Sequence, residues 1–168
     1  GGDVEISYAP NATDGFRLGL MQDFGLDVSD AEEPELDDIL YIDCDERGGI
    51  IAGSNYRSVL LTVYEYLRRN GCRWLFPGVD GEFIPVRTVQ AVQYHKMADC
   101  RYRGQCNEGA EFQQCMLETI DFYAKLTTKM LGCNSLFCAR AKPMSMSKLA
   151  VYFSLNAAVS FFAKASIS

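Results

Sequence analysis

Seven cysteines, at positions 44, 72, 100, 106, 115, 133 and 138, carry the widest chemical repertoire in this 168-residue chain, and their spacing decides what that chemistry can be. None stands in a C-x-x-C pair, the closest spacings are C-x4-C and C-x5-C, and the single histidine is His95. A structural zinc site therefore lacks its ligand pattern, and no metal or other cofactor is expected. An odd number of thiols cannot pair completely within one chain. Together with the absence of a visible signal peptide, this favours a reducing, cytoplasmic compartment; a disulfide framework is the alternative for a secreted protein. Cys44 and Cys72 fall in expected strands, where a thiol acts as a small core residue. His95 has no acid or cysteine near it in a triad pattern, so nucleophilic catalysis has no support.

Other residue types could bind a ligand. Arg57 and Ser58 open an expected helix whose first backbone N–H groups can hold an anion, but capping by Ser54 or Asn55 uses those same groups. Gly53 and Gly71 read as turn and helix-stop positions, since neither G-x-G-x-x-G nor G-x-x-x-x-G-K occurs. Trp74 and Phe76 are the right residue types for a sugar-stacking platform, yet a tryptophan in a strand between Cys72 and Pro77 more often packs in a core or a domain interface.

Charge is unevenly distributed. Residues 1–50 hold fourteen acidic and two basic side chains, residues 51–168 hold eight and fourteen, and no carboxylate follows Asp121. A solvated acidic loop from Ser29 to Asp38 explains this more simply than an acidic face for a cationic partner. The basic residues are scattered and accompany no recognised motif, which argues against a nucleic-acid partner. With 48% hydrophobic and 23% charged residues, the composition is that of a globular protein.

These residues are positioned by a series of short elements. Residues 3–9 alternate as a strand, and Phe16, Leu20, Met21 and Phe24 recur at helical spacing, which predicts a helix over 12–24. Asp38 to Ile42 alternates toward a second strand, Gly48-Gly49 is a turn dipeptide, and Ile50-Ile51-Ala52 is a third strand. Val59, Leu60, Val63, Tyr64 and Leu67 mark one face of a helix over 56–69, stopped by Asn70-Gly71. Cys72 to Phe76 then reads as a strand broken by Pro77-Gly78. The expected order is β-α-β-β-α-β, an α+β fold in which two helices cover one face of a mixed sheet. Thr88 to Val92 and Tyr94 form either an extended connection or another strand. Farther on, the pattern predicts a strand at 100–104, a helix over 111–130 and a strand at 135–139. Tyr152, Leu155, Val159 and Phe162 form an apolar stripe in a tail too short and too interrupted for a membrane span, which needs about 20 apolar residues.

The succession G-S-N-x-R-S-V-L-x-x-V-Y-x-Y-L from Gly53, G-C-R-W-L-x-P-G from Gly71 and E-F-I-P from Glu82 resembles the N-terminal domain of α-glucuronidase-like glycoside hydrolases. It is similar to the small α+β domain that also precedes hexosaminidase barrels. The resemblance covers residues 3–86 and continues more loosely through Arg101-Tyr102-Arg103-Gly104 into Cys133-Asn134-Ser135, where such enzymes begin their catalytic barrel. It implies an ancillary α+β domain over 1–86, a linker over 87–99, and an incomplete β/α barrel-like segment with an apolar C-terminal helix over 100–168. On this resemblance, Arg103 lies in the first barrel strand and Glu108 in the loop after it, at the end where barrel sites assemble, so they are candidates for binding a sugar hydroxyl or a uronate carboxylate. The plainer reading is an Arg–Glu pair at a domain boundary.

The same resemblance implies that the isolated chain does not hydrolyse sugars. A barrel typically takes about 250 residues. Glycoside hydrolysis usually needs two carboxylates flanking the scissile bond, and in the resembled enzymes these lie on later barrel strands. No catalytic residue is therefore assigned. The expected partner is a catalytic barrel domain, or a second copy joined through residues 100–168, with carbohydrate as a possible ligand. A free-standing oligomeric interaction module is the competing function.

Overall fold

The computed structural model describes residues 15–101, 104–107, 116–126 and 130–133. It is an α+β fold built on a mixed four-stranded sheet. The strands are β1 (Phe16–Leu20), β2 (Ile39–Cys44), β3 (Gly49–Gly53) and β6 (Val92–Met97), in the order β1-β3-β2-β6. β1 runs parallel to β3, while β2 is antiparallel to both β3 and β6. Helix α1 (Tyr56–Arg69) follows β3, and a two-stranded hairpin, β4 (Arg73–Trp74) with β5 (Glu82–Phe83), follows α1. Strands β7 (Gly104–Asn107) and β8 (Met130–Cys133) pair in parallel, with helix α2 (Met116–Lys125) between them in sequence. Parallel neighbours need such a crossover, because a hairpin turn can join only antiparallel strands.

The expected helix over 12–24 is a strand followed by a single 3-10 turn at Met21–Phe24. The β-α-β-β-α-β order therefore loses its first helix. Phe16 and Leu20 are four apart, a spacing shared by the helical and the strand period, and Phe16, Leu18 and Leu20 also alternate. Pairing with β3 selects the strand. It places Phe16 against Tyr66 of α1, ring centroids 5.7 Å apart. Strand residues 3–9 and the tail stripe from Tyr152 to Phe162 lie outside the described residues, as does the strand expected at 135–139.

The two central strands of the sheet, β2 and β3, carry buried side chains on both faces. Ile42, Cys44 and Ile51 pack with α1 residues Leu60, Val63, Tyr64, Tyr66 and Leu67. On the opposite face, Ile39 and Ala52 form a second cluster with Met21, against which Leu26, Val28 and Ala31 pack. The start of the acidic loop is thus a lid on the sheet as well as a solvated segment. Burial on both faces explains why β3 reads as a continuous apolar run rather than an alternation. Each fully buried aliphatic side chain in these clusters contributes about 1.5–3 kcal/mol by leaving water.

α1 is the central element, and its residues from Leu60 to Leu67 are all buried. A Cβ at Gly53 would lie 2.4 Å from the backbone nitrogen of Val59, so only glycine lets β3 end this close to the helix. Gly71 supplies the positive φ, 93°, that turns the chain out of the helix at the expected place.

Two expected strands differ from those observed. Cys72 to Phe76 is one; only Arg73 and Trp74 pair as strand, Leu75 adds one bond from its N–H to the Gly81 carbonyl at 2.9 Å, and the chain breaks at Pro77-Gly78. Residues 88–94 left two possibilities, and β6 pairs with β2 from Ile39↔Met97 to Cys44↔Val92, so this stretch supplies an edge of the sheet within the span assigned to a linker. The helix expected over 111–130 is described over 116–125, and Met130 begins β8 instead.

Candidate functional site

Two regions gather the polar and charged side chains. The first surrounds the start of α1. Asn55 is the N-cap: its Oδ1 accepts from the Ser58 backbone N–H at 2.9 Å, and the Ser58 Oγ accepts from the Asn55 N–H at 2.8 Å. This reciprocal pair is a capping box. Ser54 Oγ accepts from Ile39 N–H at 2.9 Å and donates to the Asp37 carbonyl at 2.7 Å, tying β2 to the helix start. The Asp38 carboxylate is fully buried and accepts from Arg57 Nη2 at 2.8 Å and Nε at 3.1 Å. Arg57 also donates to the carbonyls of Glu35 and Leu36. One turn away, Arg101 grips Asp37 in a two-pronged contact, Nε to Oδ1 at 2.7 Å and Nη2 to Oδ2 at 2.9 Å. The Ser58 N–H is thus taken by the Asn55 side chain and the Arg57 guanidinium by Asp38, so capping is the arrangement observed at this helix start.

The second region is the seam between α2 and the hairpin. Lys125, mostly buried, makes ion pairs with Glu82 of β5 and with Asp121 one turn back on its own helix. Burial opposes its charge, but the bonds from Asp121 and Glu82 override burial and hold its pKa above the ordinary lysine value. Phe122 and Ala124 of α2 pack against the main core. Tyr64 of α1 faces this seam; burial first, then the Asp121 and Glu82 carboxylates, push its hydroxyl above the ordinary range. Its ring meets Trp74 edge-on, with centroids 5.4 Å apart. Trp74 is only 8% exposed, which makes it a core residue and not a sugar platform.

Beside the seam lies an exposed apolar face that the sequence reading missed. Leu75, Phe76, Val79, Phe83 and Val86 are 51–82% exposed, all within one hairpin and its flanks. Leu75 and Phe76 had been spent on an expected strand, but apolar residues on both sides of Pro77-Gly78 are the signal that points to them.

A shallow cleft of about 550 Å³ lies at the opposite end of β2 and β3, lined by Arg17, Asp43, Asp45 and Gln93 among others. Asp45 Oδ1 accepts from the N–H groups of Arg47 and Gly48, which lower its pKa and close the β2–β3 turn. The Cys44 thiol beneath is pushed up to about 12 by burial and by Asp43 and Asp45, and so stays protonated. A protonated thiol is a poor nucleophile. His95 sits on β6, its ring 5.7 Å from that of Tyr41.

Arg103 and Glu108 lie outside the described residues; Arg101 and Gly104–Asn107 flank them. Among the described residues no group of three His, Cys, Asp or Glu side chains could hold a metal ion, and no helix is long and apolar enough to cross a membrane. Cys44 and Cys72 are buried, and Cys100 is exposed. No protein-family model, curated protein or solved structure matches the chain.

Proposed function

We propose that this chain is a non-catalytic ancillary domain of a carbohydrate-active enzyme of the α-glucuronidase-like kind, and that it packs on a β/α catalytic barrel. The exposed apolar face on the hairpin carries this reading. Monomeric soluble proteins rarely leave apolar side chains of this size clustered in water, and such patches usually mark an interface. The occupant that fits is the helical layer of a β/α unit. α2, a crossover helix between parallel strands, already rests on this hairpin through Lys125 and Glu82. A further helix of the same layer would lie along the adjoining apolar side. In the same reading, Arg103 and Glu108 would border the substrate cleft of the barrel.

A purified α-glucuronidase barrel stripped of its own N-terminal domain is the probe. Titration calorimetry should show binding to the full chain and loss of binding with Phe83→Lys, while the chain alone turns over neither aryl glycosides nor glucuronic-acid-bearing xylo-oligosaccharides. If the barrel does not bind and light scattering shows the full chain assembling with itself through the same face, the oligomeric interaction module takes its place.

A further inference from the structure

β6 closes one side of the four-stranded sheet, and among the described residues no strand follows it in the order β1-β3-β2-β6. In an antiparallel ladder the N–H and C=O of one residue point to the same neighbour, and successive residues point to opposite sides. The Ala98 N–H donates to the Asp38 carbonyl at 2.9 Å, next in register after Met97↔Ile39, which fixes the alternation along β6. Val92, Tyr94 and Lys96 therefore turn their backbone groups toward β2, and Gln93, His95 and Met97 turn theirs outward. β2 agrees from its other side. The Asp45 N–H donates to the Gly48 carbonyl at 2.8 Å, so Tyr41 and Asp43 face β3, and Leu40, Ile42 and Cys44 are left to bond β6.

An edge of this kind is a template for another strand, and folded proteins usually blunt it with proline, lysines, a bulge or brevity. β6 has little of this. It runs for six residues in constant register without a proline, and its one lysine, Lys96, is paired with Asp99 at 2.8 Å. Gln93, His95 and Met97 are exposed, the apolar Met97 by 42%.

We propose that β6 is a docking edge for a second copy of this chain, joined antiparallel across a two-fold axis at His95, so that two sheets become one. Such an axis keeps the faces of the sheet, and side chains alternate between faces, so it must pass through a residue position. Centred on His95, the register sets His95 against His95 and Gln93 against Met97 of the second copy. Every outward N–H then finds an outward C=O. Tyr94 stands opposite Lys96 of the second copy, so the lysine does not meet its like. Centred on Tyr94, the register would instead set Lys96 against the buried Val92. The contact uses no residue of the hairpin face and does not depend on the enzyme that the chain serves.

Sedimentation velocity on the full chain should show a dimer that grows with protein concentration and persists with Phe83→Lys. His95→Pro removes only an outward N–H, at a place where an edge strand accepts proline, and should weaken the dimer by about tenfold or more with circular dichroism unchanged. Oxidising His95→Cys tests the register: opposed Cα atoms in such a pair lie about 5.5 Å apart, within disulfide reach, and mass spectrometry should find residue 95 joined to residue 95. Gln93→Cys should give no 93-to-93 link, because its two copies lie about 14 Å apart along the strands. If proline unfolds the sheet, the two cysteine variants decide by themselves. A full chain that stays monomeric, a dimer lost with Phe83→Lys or kept at full strength by a folded His95→Pro, or 93-to-93 links as abundant as 95-to-95 links would overturn the proposal.

Discussion

The start of α1 and the α2 seam both join charged side chains across separate elements, yet they are built by opposite means. Around Asn55 the side chains satisfy one another: Ser54, Asn55 and Ser58 each bond backbone groups, and the buried Asp38 carboxylate meets Arg57, which also reaches two carbonyls. At the seam, Lys125 bonds two carboxylates while the hydroxyls of Tyr64 and Thr119 lie buried without partners among the described residues. A fully satisfied polar network rigidifies, whereas an unpaired buried polar group is costly. The first region is therefore read as the clamp of the sheet domain, and the second as a contact whose polar groups are only partly paired among the described residues.

The largest test of the contrast is Asp38→Asn. It leaves the partly buried Arg57 guanidinium without its counter-charge and should lower stability in urea by about 3–5 kcal/mol, as one unfolding transition of the whole sheet domain. A change confined to the acidic loop, with the main transition intact, would dissolve the distinction between clamp and seam.

Alkaline pH gives the next effect. The Cys44 thiol ordinarily titrates near 9.0 and is held at about 12 in the fold, so above 9 the unfolded chain loses a proton that the folded chain keeps. Stability is full below pH 9 and should fall by about 1.4 kcal/mol per pH unit between 9 and 12, with the raised Tyr64 and Tyr66 hydroxyls adding to the decline above 10. Cys44→Ala should flatten the lower part of that slope, measured by urea titrations at stepped pH.

Asn55→Ala removes the N-cap and should cost about 1 kcal/mol, read by thermal unfolding at neutral pH. The smallest expected effect on stability is that of Phe83→Lys, within about 0.5 kcal/mol because the side chain is exposed, although the same change should abolish docking on the hairpin. A large loss of stability with Phe83→Lys would mean that this face is packed within the folded chain and is no docking surface.

Much of the sheet domain was legible because its signals are local. Asn55 and Ser58 frame the helix start, Asn70-Gly71 its stop, and Gly48-Gly49 the β2–β3 turn, each within a few residues. The stretch over 12–24 is misread where local signals conflict, since Phe16 and Leu20 satisfy a helix and a strand alike. Of the candidate site, capping by Ser54 or Asn55 and the placement of Trp74 in a core or a domain interface were readable. The apolar face was not, because Leu75 and Phe76 look like strand residues until the hairpin places Trp74 opposite Glu82 and leaves their side chains exposed at its closing end.

By itself the sequence determined the α+β class, the span of α1 and its caps, and the core role of Cys44 and Cys72, since residue type and short-range spacing suffice for these. It also carried the charge asymmetry, though not its use. Only the tertiary structure decided that residues 16–20 pair with β3, that residues 92–97 complete the sheet, and that Arg101 and Lys125 meet Asp37 and Glu82. Those contacts join residues as much as 64 positions apart. No local pattern encodes such a partner, because the choice between competing pairings rests on the apolar area that the whole chain buries at once.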